Sequence, residues 1–264
     1  MRVAAILADM VARMILLALV TALMSPAQWL NLRTPGIPRL VDGNPDMTAP
    51  TPKTFDGKPD LSGIWRSDPT EGVNYIQNVA RDVPPDAVKP WAKALYERRI
   101  ENLQRDEPWA RCQPAGLPLL DTAGFTYRIV QSPGLLVILY EETTSVPRQI
   151  FMDSRELPRD PNPTWLGYSV GKWEGDTLVV DTSGFNDKTW LDANGHPHSE
   201  SLRLTERFRR VDFGHLELQI TIDDPEAFTK PFTVVKHPKL RADYEMLEYF
   251  CNENERDSRH MVGK

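Results

Sequence analysis

Apolar and polar residues alternate with a period of two along most of the chain after residue 125. A strand turns successive side chains to opposite faces, so this pattern predicts half-buried strands. The expected strands are 125–131, 134–141, 147–153, 166–173, 176–183, 200–210, 214–222, 231–238 and 244–251, with an earlier one at Leu61–Trp65. Most joints are short and turn-like: Ser132-Pro133-Gly134, Glu174-Gly175 and Phe213-Gly214. Sequential strands with tight turns predict an antiparallel meander. Nine or ten of them can close into an up-and-down barrel, which removes exposed edges, and a β-sandwich is the rival arrangement. The helical period occurs in one stretch, residues 86–105. Val88, Trp91, Leu95 and Leu103 give its apolar stripe, Asp86 is placed to cap it, and Pro90 falls in the first turn.

Residues 28–60 break both periods. They are rich in Pro, Gly, Asp and Thr and read as an extended arm. The arm repeats itself. Pro38-Arg-Leu-Val-Asp42-Gly43-Asn-Pro45-Asp46-Met47 matches Pro52-Lys-Thr-Phe-Asp56-Gly57-Lys-Pro59-Asp60-Leu61, 14 residues later. Asp-Gly predicts a turn in each copy and the following Pro predicts extension. The remaining chain, 61–264, is expected to be one β domain.

The N-terminus has a different pattern again. Arg2 and Arg13 precede an apolar run, Met14–Met24, and then Ser25-Pro26-Ala27. A basic start, an apolar stretch and small residues at the end are the layout of a secretory signal, here 1–27. The run is shorter than the about 20 residues that span a bilayer. Met1, Met10 and Met14 are all possible starts. The expected location is the periplasm or the medium.

Composition adds limits. Of 264 residues, 41% are hydrophobic and 26% charged, which fits a globular chain. The net charge of -6 is spread among mixed signs and lacks the basic face that nucleic-acid binding requires. Cys112 and Cys251 are the only cysteines. In an oxidising compartment a lone pair is most simply a disulfide, with two buried thiols as the alternative.

Several segments together resemble an uncharacterised family of exported bacterial proteins: Asp56-Gly-Lys-Pro-Asp-Leu-Ser-Gly-Ile-Trp65, Gly171-Lys-Trp-Glu-Gly-Asp-Thr-Leu-Val-Val180, Ser199-Glu-Ser-Leu-Arg-Leu-Thr-Glu-Arg-Phe208, Asp223-Asp-Pro225 and Cys251-Asn-Glu-Asn254. The resemblance implies export and a mainly β domain, and supplies no catalytic residues. Gly63-Ile-Trp65 on a first strand is also similar to the Gly-x-Trp of lipocalin-like (calycin-type) barrels. With the meander behind it, it makes a closed barrel of that type the leading expectation.

Candidate chemistry follows from parity. Leu202, Leu204, Glu206 and Phe208 share one face, so Glu206 is expected to point into an apolar layer. A buried carboxylate either pairs with an arginine, here Arg128 or Arg210, or acts as acid or base. Extending the phase back adds His196, His198 and Glu200, with Asp192 nearby. This is a weak signal for a zinc-like ion or an acid–base pair, and the turn-rich segment Asp192–His198 reads equally as a plain loop. Trp173, Tyr168, Tyr140 and Arg128 are candidate pocket residues. Glu248, in phase with Tyr244, Met246 and Phe250, is a second candidate inward acid. No cofactor is expected. Three functions remain open: an exported barrel binding a small, largely apolar ligand; a cofactor-independent hydrolase, lyase or isomerase using Glu206 with His196 or His198; and an interaction protein using the arm.

Overall fold

Alternation in the sequence becomes alternation in burial. In the computed structural model, which describes residues 33–67, 78–141 and 146–251, the strands share one sheet. The strands are β1 (Gly63–Arg66), β2 (Thr126–Ser132), β3 (Leu135–Tyr140), β4 (Arg148–Phe151), β5 (Tyr168–Glu174), β6 (Thr177–Ser183), β7 (Arg203–Arg210), β8 (Leu216–Asp223), β9 (Phe232–Lys236) and β10 (Lys239–Leu240). Their order is β10-β1-β2-β3-β4-β5-β6-β7-β8-β9. The sheet curls around a core in which Leu204, Phe208, Leu218, Ile220, Ile138 and Trp65 are buried. Residues 1–27, expected to be the signal, lie outside the described residues, as does most of Cys-Asn-Glu-Asn.

Two expectations about topology are corrected. The meander is interrupted: β4 and β5 pair in parallel through Ile150↔Ser169 and Phe151↔Val170. The connection 152–167 therefore carries the chain back to the end of the sheet where β4 began. Pro158, Pro161 and Pro163 cannot donate ladder hydrogen bonds, which suits this stretch to a crossover. Second, 244–251 is not a strand; the chain there is irregular and largely exposed. The last pairing belongs to β10. Its bridge Lys239↔His215 continues the register in which β9 pairs with β8, and Leu216 N–H donates to Pro238 O (2.9 Å).

The helix is shorter than expected and faces differently. α1 (Pro90–Glu101) begins at Pro90, and the residue before it, Lys89, makes no side-chain cap. Asp86 lies in a preceding 3-10 turn. Trp91 and Leu103 are exposed, whereas Ala92 and Arg99 are buried. The wetted Trp91 is pinned by its Nε1–H donating to Glu226 O (2.7 Å). A short buried helix, α2 (Leu119–Thr122), closes the α1 end of the sheet within a stretch, 115–127, that is buried throughout.

Residues 37–60 of the arm occupy the opposite end. Its two repeats fold alike: the bridges Arg39↔Pro45 and Lys53↔Pro59 and three backbone hydrogen bonds recur with the same spacing. Gly43 (φ 85°) and Gly57 (φ 78°) supply the left-handed turn position in each copy. Lys58 Nζ donates to Gly175 O (3.2 Å), Gln131 Nε2 to Pro59 O (3.3 Å), and Gly214 N–H to Met47 O (2.8 Å), so the arm lies over the β2–β3, β5–β6 and β7–β8 turns. Cys112 and Cys251 are joined by a disulfide, with Cα atoms 5.6 Å apart. Among the described residues no helix is long and apolar enough to cross a membrane.

Candidate functional site

Glu206 points into the core as its parity requires and has no solvent exposure. Its partner is neither Arg128, which is half-buried on the other face, nor Arg210, whose guanidinium serves the carbonyls of Asp60, Asp212 and Phe213. The partner is Arg148, the first residue of β4. Arg148 grips both Glu206 oxygens (Nη1–Oε1 3.0 Å, and Nη2 to Oε2) and reaches Asp121 Oδ2 at 3.3 Å. It also donates to Ser169 Oγ and Thr182 Oγ1. Tyr140, one of the candidate pocket residues, donates its hydroxyl to Asp121 Oδ1 (2.9 Å).

The electrostatics of this cluster follow from its burial. Burial, and then the charge of Glu206, push the Asp121 carboxyl up to about 7. Burial opposes the charge on Arg148, but Glu206 and Asp121 outweigh it and raise its pKa. Tyr127 and Tyr140 are pushed well above the usual phenol range by burial and by Asp121. The Tyr127 hydroxyl, though buried, has no hydrogen-bond partner. Burial thus favours the protonated form of Asp121, and Glu206, Asp121 and Arg148 are each at most 2% exposed.

The two histidines lie in a loop rather than on an extension of β7, because Pro197 and the Asp192–Gly195 turn stop the strand short. Their partners differ. His196 Nδ1 donates to Asp192 Oδ2 (2.7 Å), and the ring stacks on Tyr96 at 4.1 Å. Asp192 is fully buried and also accepts from the N–H groups of Val79, Asn194 and His196. His198 Nδ1 donates to Ser199 O (3.0 Å), which leaves Nε2 to accept from Thr189 Oγ1 (2.7 Å). Burial lowers the His198 pKa and keeps the ring neutral. With both Nδ1 atoms engaged and Glu200 exposed, the three do not assemble a metal centre; no group of three or more His, Cys, Asp or Glu among the described residues does. No hydrogen bond joins either histidine to Glu206.

Among the recesses around the described residues, three bear on this framework. His196 lines one of about 240 Å3 with Tyr96, Val83, Val88 and Lys93. His198 lines a polar one of about 720 Å3. The third, about 340 Å3, lies at the arm end between Phe55, Leu136, Met152 and Trp173. Tyr168 stands apart from it, stacked on Phe151 (5.1 Å) and accepting from Arg155 Nη1 (2.9 Å). Glu248 is exposed, because the expected last strand does not form.

Sequence reasoning missed Arg148, Asp121 and Arg99. Arg148 shares parity with the buried Ile150, a signal that could have found it. Asp121 follows the apolar pair Leu119–Leu120 and precedes Ala123, which is a weaker signal. Compared with protein-family models, with curated proteins and with solved structures, the chain has no match.

Proposed function

We propose that this is an exported protein that binds a small, largely apolar ligand in the recess between the arm and the sheet. One observation carries the reading: Phe55, at the tip of the second arm turn, is 89% exposed yet lines a recess with Leu136, Met152 and Trp173. An exposed aromatic over an apolar hollow loses water-contacting surface when a ligand fills it. The recess, about 340 Å3, is within the range of about 300–1,000 Å3 common to small-molecule sites. The site thus moves from the sheet interior, which α2 and the Arg148 cluster fill at one end, to its arm-side mouth. We also read the sheet as rounding into a lipocalin-like barrel, supported by β10, which bonds β1 while extending the β8–β9 register. The Cys112–Cys251 disulfide supports export.

Titration with the neutral fluorophore N-phenyl-1-naphthylamine tests the ligand site. Saturable binding at one per chain, weakened roughly tenfold by Phe55→Ala or Trp173→Ala, is the expected result. Binding that neither substitution changes would overturn it. For export, the secreted protein should begin near Gln28; a mature chain keeping residues 1–27 would refute it.

A second reading, acid–base catalysis, is favoured by the Asp192–His196 contact. A buried carboxylate on Nδ1 fixes the tautomer that presents Nε2 as a base. Here Glu206 has no part. If the protein hydrolyses activated esters such as p-nitrophenyl acetate, His196→Gln should abolish turnover and Phe55→Ala should spare it; unchanged turnover in His196→Gln would end this reading.

A further inference from the structure

A recess of about 720 Å3 lies at the α1 end, away from the ligand site proposed above. Arg99 of α1 lines it and is only 9% exposed. Its Nη1 donates to Gly195 O (2.9 Å) and its guanidinium lies 4.5 Å from the centre of the Trp190 ring. Its Nε is buried without a hydrogen-bond acceptor, and the carboxylate of Asp106 comes only to 3.9 Å, from a side chain 43% exposed. This contrasts with Arg148, whose charge is met by two carboxylates. Burial accordingly pulls the Arg99 pKa down to about 10, which still leaves it charged at neutral pH.

A guanidinium this buried, with the Asp106 carboxylate no nearer than 3.9 Å, is costly unless an anion completes it. The backbone is shaped around this side chain: Gly195, at φ +96°, passes so close that a Cβ there would stand 3.3 Å from both Cβ and Cδ of Arg99. Arg159 and Arg203 line the same recess, together with the carboxylates of Asp160, Asp187, Glu200 and Glu226. Carboxylates outnumber guanidiniums in the lining, which disfavours a doubly charged phosphate and favours a ligand with one negative group plus hydrogen-bond donors.

We propose that this recess is a second binding site, for a small carboxylate that also carries hydroxyl or ammonium groups. Arg99 takes the carboxylate, Arg203 contributes at longer range, and Asp187 and Glu200 accept from the ligand's donors. Trp91, held in the lining by its bond to Glu226 O, offers an apolar face.

Calorimetric titration of the folded protein with four probes tests this: glucuronate, glycylglycine, glucose and inorganic phosphate. At least one of the two carboxylate probes should bind saturably, at one per chain, with glucose and phosphate roughly tenfold weaker or more. Arg99→Gln should remove the binding and Arg203→Ala should weaken it several-fold. Arg203 is an exposed residue at the start of β7, so its variant keeps the test valid if Arg99→Gln fails to fold. Failure of both carboxylate probes, equal binding of phosphate or glucose, or binding untouched by Arg203→Ala would each overturn the proposal. Phe55→Ala should leave these titrations unchanged, which separates this site from the arm-end recess.

Discussion

Arg148 is a charge that the core can hold only because Glu206 and Asp121 surround it. Removing one member of a buried ion pair typically costs about 3–5 kcal/mol, because the remaining charge is left uncompensated. Glu206→Gln should therefore lower the unfolding free energy by about 3 kcal/mol in urea titrations, and more than an exposed change such as Glu248→Gln. Asp121 makes a separate prediction. Its folded-state pKa of about 7 lies above the value for an unfolded chain, so the folded state holds a proton that the unfolded state gives up. The stabilisation is complete below the unfolded pKa and is lost as pH rises through about 7. Stability should fall between about pH 4 and about pH 7, and Asp121→Asn should flatten that slope. Parity made Glu206 legible in the sequence. Its partner was not, because Arg148 lies 58 residues away and no spacing rule joins residues that the topology brings together.

Strands read well from alternation, since burial on one face imposes a period of two. Helix facing did not. Arg99 and Ala92, polar and small, are the buried residues of α1, while Trp91 points to solvent, so hydropathy alone chose the wrong side. The parallel β4–β5 pair was hidden for a similar reason: the crossover 152–167 has turn residues throughout and no period to show where it leads. It ends at Gly167, in a left-handed conformation (φ +67°) where a Cβ would fall 2.7 Å from Thr182 Cγ2 and 2.9 Å from Ser183 O. Gly167→Ala combines backbone strain with overpacking and should destabilise by about 2–4 kcal/mol, measured as a drop in the denaturation midpoint. Gly57→Ala meets nothing within 4 Å and should cost only the strain of its positive φ, about 1 kcal/mol.

Across the whole molecule, the Cys112–Cys251 bridge spans 139 residues and encloses nine of the ten strands. In the chain-entropy description a loop of that length contributes about 5 kcal/mol, so Cys112→Ser/Cys251→Ser should melt well below the oxidised protein, and a reductant should move only the latter. The bridge was legible from cysteine count alone, whereas the placement of the ligand recess at the arm end needed the fold. The parallel pair has one more consequence. With only two residues of each strand in register, β4–β5 is a seam between two antiparallel panels. Arg148 stitches that seam from within, reaching from β4 to Ser169, Thr182 and Glu206 on the next three strands. Cutting the stitch should let the panels part there first, and the amides bonded across the β4–β5 pair would then exchange with deuterium ahead of the rest of the sheet.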